Sequence, residues 1–208
     1  MQDNWLKMWN TRYQEPTYAY GIEPNVYLKE QLDKLAQGSI LFGAEGEGRN
    51  ALYAAKTGWD TYAFDIAESG KQKALQLAKD NGVQLNYQVG QLPDLSFQAE
   101  QFDVIALIYA HFPPDIKSAY HRQLSQLLKK GGHIILEAFG KNHLPYRAAN
   151  PKVGGPGNLG FLFSVEEIQE DFPNFKVLEL VEKEVVLSEG LYHNGKGSVV
   201  RFVGKKID

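Results

Sequence analysis

The sequence predicts a doubly wound α/β protein built on a mostly parallel sheet, and three observations carry that prediction. Short apolar runs at 39–43, 60–65, 84–89, 102–108 and 133–139 alternate with helix-length segments. Such alternation builds a parallel sheet covered on both faces. The first run opens directly on a glycine-rich turn, Gly43-Ala-Glu-Gly46-Glu-Gly48, where a helical pattern begins. The chain closes on two strand-like runs, 175–187 and 198–204, joined by 189–197, which reads as an antiparallel hairpin.

Residues 4–13 form the first predicted helix, with Trp5, Met8, Trp9, Arg12 and Tyr13 at helical spacing. Gly21 and Pro24 interrupt the pattern. A second helix is expected over 25–37, with Leu28, Leu32 and Leu35 on one face and Gly38 ending it. Helices at 48–57, 68–80 and 115–129 follow the first, second and fourth strands, stopped by Gly58, Gly82 and Gly131-Gly132. Residues 140–163 are rich in Gly, Pro and Asn and hold no predicted element. A loop of that length in a compact domain is usually functional or disordered. Ser164-Val-Glu-Glu167 has capping-box spacing and opens one more short helix. The expected layout is a single domain over 1–208, with a helical cap (1–38), a cofactor-binding core (39–139), an insertion loop (140–163) and a helix plus hairpin (164–208).

An apolar content of 43% and a charged content of 23% suit a globular chain of 208 residues with one core. The net charge of −3 has no basic block behind it, so no nucleic-acid partner is expected. The absence of Cys removes disulfides, thiolate nucleophiles and cysteine metal sites together. The histidines show no metal-ligand spacing, and no metal is expected. The start, Met1-Gln2-Asp3-Asn4-Trp5, lacks the basic and apolar regions of an export signal. No run approaches the ~18 apolar residues of a membrane span. A cytoplasmic protein without a membrane partner is the expectation; oligomeric state leaves no signal in the sequence.

Gly46-Glu-Gly48-Arg-Asn-Ala51 fits the G-x-G-x-x-A dinucleotide fingerprint, with Asp65 placed 19 residues after Gly46 to accept from a ribose. The two carboxylates of the turn, Glu45 and Glu47, argue against a pyrophosphate. Like charges ~4 Å apart cost about 1 kcal/mol in water and about 4 near a protein surface. S-adenosylmethionine has no phosphate and carries an ammonium and a sulfonium, so it suits an acidic turn. An NAD-dependent oxidoreductase and a non-catalytic S-adenosylmethionine-binding protein remain the alternatives.

The chain resembles class I S-adenosylmethionine-dependent methyltransferases, and among them the small tellurite-resistance and thiopurine type. The resemblance runs through Trp9-x-x-Arg12-Tyr13, Tyr20-Gly21-x-Glu23-Pro24-Asn25 and Glu45-Gly-Glu-Gly-Arg-Asn50. It continues through Asp65, Tyr109-Ala-His111-Phe-Pro, Gly131-Gly132, Gly154-Gly155-Pro156 and Glu189-Gly-x-x-His193-x-Gly195. It implies a seven-stranded Rossmann-like sheet of order 3-2-1-4-5-7-6 with strand seven antiparallel. The departures are Phe42 and Ala44, where many class I enzymes carry an acidic residue, and Gln91, where an acidic residue often holds adenosine.

The resemblance places the cofactor on Glu45, Gly46, Glu47, Gly48 and Asn50 of the turn, on Asp65 with Ile66, on Gln91 with Leu92, and on Tyr109. Trp9 and Arg12 are expected to close over it. Tyr13 and Tyr20 face the acceptor, with aromatic faces suited to a sulfonium. Tyr146 and Arg147 of the 140–163 loop are the candidates for acceptor specificity. Methyl transfer is an in-line displacement that needs a base only when the nucleophile arrives protonated. Thiolates, selenols and tellurium oxyanions that arrive as anions need none. His111, beyond the carboxyl end of the fourth strand, is the candidate acid–base residue. The acceptor is expected to be a small molecule.

Overall fold

The computed structural model describes residues 2–207, and side chains from Asn4 onward. The outermost residues of the predicted layout, Met1 and Asp208, lie outside the described residues. The sheet has seven strands in the order β3-β2-β1-β4-β5-β7-β6. These are β1 (Ser39–Gly43), β2 (Asp60–Asp65), β3 (Asn86–Val89), β4 (Phe102–Ile108), β5 (Leu128–Phe139), β6 (Phe175–Glu189) and β7 (His193–Lys206). The first five run parallel, and β7 pairs antiparallel with both β5 and β6.

Helices cover both faces, because the central strands are apolar on both sides. On one face α2 (Val26–Leu32), α3 (Arg49–Lys56) and α4 (Glu68–Asp80) pack through Leu28, Ala51 and Ala74 onto Ile40, Phe42 and Val104. On the other, α5 (Lys117–Leu127) and α7 (Val165–Asp171) pack through Leu124 and Ile168 onto Ile105, Leu107 and Phe202. The capping box opens α7 as its spacing predicts, with Ser164 and Glu167 exchanging side-chain and backbone bonds.

Four elements differ from expectation. The fifth strand begins at Leu128 rather than His133 and takes in Gly131-Gly132, so the helix before it ends at Leu127. The second helix ends at Leu32 rather than near residue 37. Its chain then tightens into three-residue turns, Lys34 N–H donating to Gln31 and Leu35 N–H to Leu32. The 140–163 segment is structured. It holds α6 (Leu144–Ala149) and short 3-10 turns at 141–143, 151–153 and 159–161. Side chains pin it: Arg147 donates to the Gly155 carbonyl and Asn150 to the Asn194 carbonyl. The hairpin strands are longer than predicted, and the turn between them is only Gly190-Leu-Tyr192. Among the described residues no helix is long and apolar enough to cross a membrane.

Candidate active site

The carboxyl ends of β1, β2 and β4 open into one cavity of about 1090 Å³, roofed by α1 (Gln2–Gln14) and walled at its far end by the hairpin. Its volume slightly exceeds the ~300–1,000 Å³ of a pocket for one drug-sized ligand.

The turn after β1 is held by its own carboxylates. Glu45 Oε1 accepts from the backbone N–H groups of Asn50 (2.9 Å) and Ala51 (2.8 Å), capping the start of α3. A pyrophosphate would need those same amides, so an anion of the protein already fills the dinucleotide position. Asp65 accepts from Gly46 N–H at 3.0 Å and from Ala67 N–H at 2.9 Å, which locks the end of β2 to the turn. Burial pushes the Glu45 carboxyl up to about 7, although it remains partly accessible from the cavity, and pushes Asp65 up to about 6. The amide bonds each accepts oppose that rise without cancelling it.

The turn's glycines serve packing. Gly46 (φ 62°) lies under the ring of Tyr13, and a Cβ there would sit 2.5 Å from its hydroxyl. Gly48 (φ 88°) leaves room for Ala74 of α4, whose Cβ would be 2.5 Å away. Ala44 and Tyr109, following β1 and β4, both take positive φ (53° and 55°) without being glycine. Backbone strain of this kind collects at functional sites, and both residues line the cavity.

Of the residues singled out from sequence, Trp9, Tyr13, Tyr20, Glu45, Asn50, Asp65, Ile66, Gln91, Leu92, Tyr109 and His111 all line this cavity. Six do not. Gly46 and Gly48 face Tyr13 and α4 as described. Glu47 turns away to accept from Ala19 N–H at 2.7 Å and to pair with Lys73, tying the segment before α2 to α4. Arg12 donates to the Tyr20 hydroxyl at 2.9 Å and lies over the rings of Trp9 and Tyr192. Tyr146 donates to Glu184 on the surface, and Arg147 is spent on Gly155. From the 140–163 segment it is Asn158 and Phe161 that reach the cavity.

His111 is not built as a base. Its Nδ1 donates to the Phe161 carbonyl at 2.8 Å, and its Nε2 accepts from Phe139 N–H at 3.3 Å, so both ring nitrogens are engaged. Burial drives its pKa down to about 3. The ring is a neutral wall that holds the 159–161 turn against β5.

The sequence reading assigned no role to a second polar cluster at the far end. His193 lines the cavity and bonds through Nδ1 to Glu189 Oε2 at 2.9 Å. Arg49 Nη2 reaches the same oxygen at 2.9 Å. Asn25 bridges the other Glu189 oxygen (3.0 Å) to Glu137 (2.7 Å), which pairs in turn with Arg201 at 2.6 Å. Gly190 (φ 57°) lets the hairpin turn touch the Tyr20–Gly21 backbone, where a Cβ would lie 2.4 Å from Gly21 N. Register is the signal that could have revealed the cluster. A three-residue turn sets Glu189 and His193 opposite each other.

Residues 40–132 match the family model described as a methyltransferase domain. The structure is similar to one described for the conversion of a disulfide bond into a thioacetal group during echinomycin biosynthesis. The TM-score is 0.78 at 16% identity, covering 97% of this chain and 91% of that one. It is also similar to TehB from Haemophilus influenzae (TM-score 0.68, 17% identity, 86% and 61% covered). A third is magnesium protoporphyrin IX methyltransferase from Synechocystis PCC 6803 with bound S-adenosylhomocysteine (TM-score 0.64, 18% identity, 87% and 80% covered). Three uncharacterized mycobacterial proteins, from Mycobacterium tuberculosis and Mycobacterium bovis strains, are 33% identical over 96 residues. The matched segment is 46% of this chain and spans about a third (35%) of those relatives' length. Residues 40–132 are thus similar to a methyltransferase domain, and the sheet has the strand order that the resemblance implies.

Proposed function

We propose that this protein transfers a methyl group from S-adenosylmethionine to a small acceptor held in the same cavity. The observation that carries the reading is the continuity of that cavity. One wall carries the carboxylates of Glu45 and Asp65, and another sets the rings of Tyr20, Tyr109 and Phe161 beside the polar cluster of the hairpin. The first wall suits the ammonium and ribose of the cofactor, with Gln91 available to an adenine edge. When bound, S-adenosylmethionine supplies an electrophilic methyl on a sulfonium. The chain's residues then hold the acceptor on the methyl axis and exclude water, which is where effective molarity arises.

Among the acceptor classes suggested by the tellurite-resistance and thiopurine resemblance, an apolar thiol or selenol fits best. The cavity wall carries Glu45, Asp65, Asp94 and Asp115, and its one arginine or lysine among the described residues, Arg49, is paired with Glu189. Such a wall disfavours oxyanions of selenium or tellurium. The sulfur chemistry of the echinomycin relative agrees with the choice.

Calorimetric titration tests the cofactor half: S-adenosylhomocysteine should bind and NADH should not. Labelled-methyl transfer to a panel of apolar thiols, selenols, selenite and tellurite tests the other half. Binding of NADH alone would overturn the reading.

A further inference from the structure

We propose that His193 is the general base of methyl transfer, with Glu189 as its positioning residue, and that the acceptor enters still carrying its S–H or Se–H proton. This rests on the methyltransferase reading above and adds to it the protonation state of the substrate.

The argument begins with hydrogen-bond roles. Glu189 is surrounded by donors, with Arg49 Nη2 and His193 Nδ1 on one oxygen and Asn25 Nδ2 on the other. Burial alone would raise its pKa, but the His193 bond and the Arg49 charge bring it down to about 2. An ionised carboxylate only accepts, so His193 Nδ1 must carry the proton and the lone pair of the neutral ring lies on Nε2. Nε2 has no partner among the described residues, and the ring forms part of the cavity wall.

The other side-chain acceptors around the ring are engaged. The Tyr109 hydroxyl donates to Glu137 at 3.1 Å, the Tyr20 hydroxyl receives Arg12, and both nitrogens of His111 are used. The imidazole is held edge-on by Tyr109 (4.3 Å between centroids) and tilted against Tyr20 (4.6 Å), so its direction is set. The charged and titratable groups facing it are Glu189, Arg49, Arg12, Tyr20, Tyr109, His111 and His143. Burial keeps the ring neutral, opposed by Glu189 and assisted by the two arginines. A neutral base with a fixed tautomer and an orienting carboxylate is the arrangement that activates a protonated nucleophile.

In the step, His193 Nε2 takes the S–H proton. The acceptor's electron pair forms the new S–C bond as the sulfonium–methyl bond breaks, its pair remaining on the departing thioether. The proton passes from His193 to solvent as product leaves. A free thiol is mostly protonated at neutral pH, its ordinary pKa being about 8.5, so a base has work to do there.

Two measurements test this on the full chain. Imidazole 15N NMR of the wild-type protein at neutral pH should show His193 protonated on Nδ1 with an unprotonated Nε2, and Glu189→Gln should disturb that tautomer. Methyl transfer should then be compared for an alkyl thiol and an electron-poor aromatic thiol that is already ionised. His193→Asn should lose roughly 10²–10⁴-fold with the alkyl thiol and less than about tenfold with the aromatic one. Its affinity for S-adenosylhomocysteine should be unchanged. Glu189→Gln, which keeps the ring, should show a smaller loss of the same selectivity. An Nε2–H tautomer, an equal loss on both thiols, or no thiol turnover by a wild-type protein that binds S-adenosylhomocysteine overturns this proposal alone. Failure of the wild-type protein to bind S-adenosylhomocysteine overturns the cofactor reading beneath it.

Discussion

The two ends of the cavity hold their carboxylates by opposite means. At the turn after β1, Glu45 and Asp65 accept from backbone amides and form no ion pair among the described residues; the Arg49 charge lowers Glu45 only in part, and burial leaves both protonating near neutrality. At the hairpin, Glu189 and Glu137 are paired with Arg49 and Arg201, and Glu189 stays ionised far into acid. The first wall gains from the arrival of a cation. The second is already neutralised, and its negative charge is spent on orienting an imidazole. Under the proposed function, the first end receives the cofactor and the second stays fixed.

Breaking the fixed end should cost the most. Arg201→Met leaves Glu137, whose side chain is 2% exposed, as an uncompensated buried charge. A loss of about 3–5 kcal/mol is expected, read as a lower denaturation midpoint with unchanged slope. Pairing it with Glu137→Leu should recover much of that loss. If Arg201→Met costs no more than the turn variants below, the two ends do not differ in kind.

Asp65→Asn probes the turn. It keeps the shape but removes the charge expected to meet the ribose, so S-adenosylhomocysteine affinity should fall by about 1.5–3 kcal/mol. Glu45→Ala should cost about 0.5–2 kcal/mol of stability through the lost cap of α3. Chemical denaturation measures it.

The pH dependence of the free protein probes the same turn. The folded Glu45 binds its proton more tightly than the unfolded chain does, with a pKa near 7 against an ordinary 4.5. Its contribution is therefore fully present below about 4.5 and is lost as pH rises through about 7. Asp65 acts in the same direction between 3.8 and about 6. Denaturation midpoints at pH 5 and pH 8 should fall in that order, and Glu45→Gln should shrink the difference.

The fold was legible because apolar runs such as Phe102–Ile108 and stops such as Gly58 and Gly82 are local signals, and each acts where it stands in the chain. The 140–163 segment was not legible. Its order comes from long-range partners such as Asn194, Ser198 and Glu182, which sequence spacing does not reveal. At the turn, residue types were legible and partners were not. Glu45 and Asp65 line the cavity, but Glu47 goes to Lys73, and the glycines make room for Tyr13 and Ala74. The surroundings of His111 were hidden for a related reason. His111 sits at the expected strand end, yet its nitrogens are consumed by Phe161 and Phe139. Reading 189–197 as one long loop concealed that Glu189 and His193 are cross-strand partners.

The central claim, that the turn is an acidic wall waiting for a cationic cofactor, makes a specific demand on protons. Calorimetric titration of S-adenosylhomocysteine near pH 6.5, in two buffers of different ionisation enthalpy, counts the protons exchanged on binding. About one proton should be released per cofactor bound as Glu45 and Asp65 ionise, and Glu45→Gln should release clearly fewer. Tight binding with no proton release, or the same release from Glu45→Gln, would contradict the account.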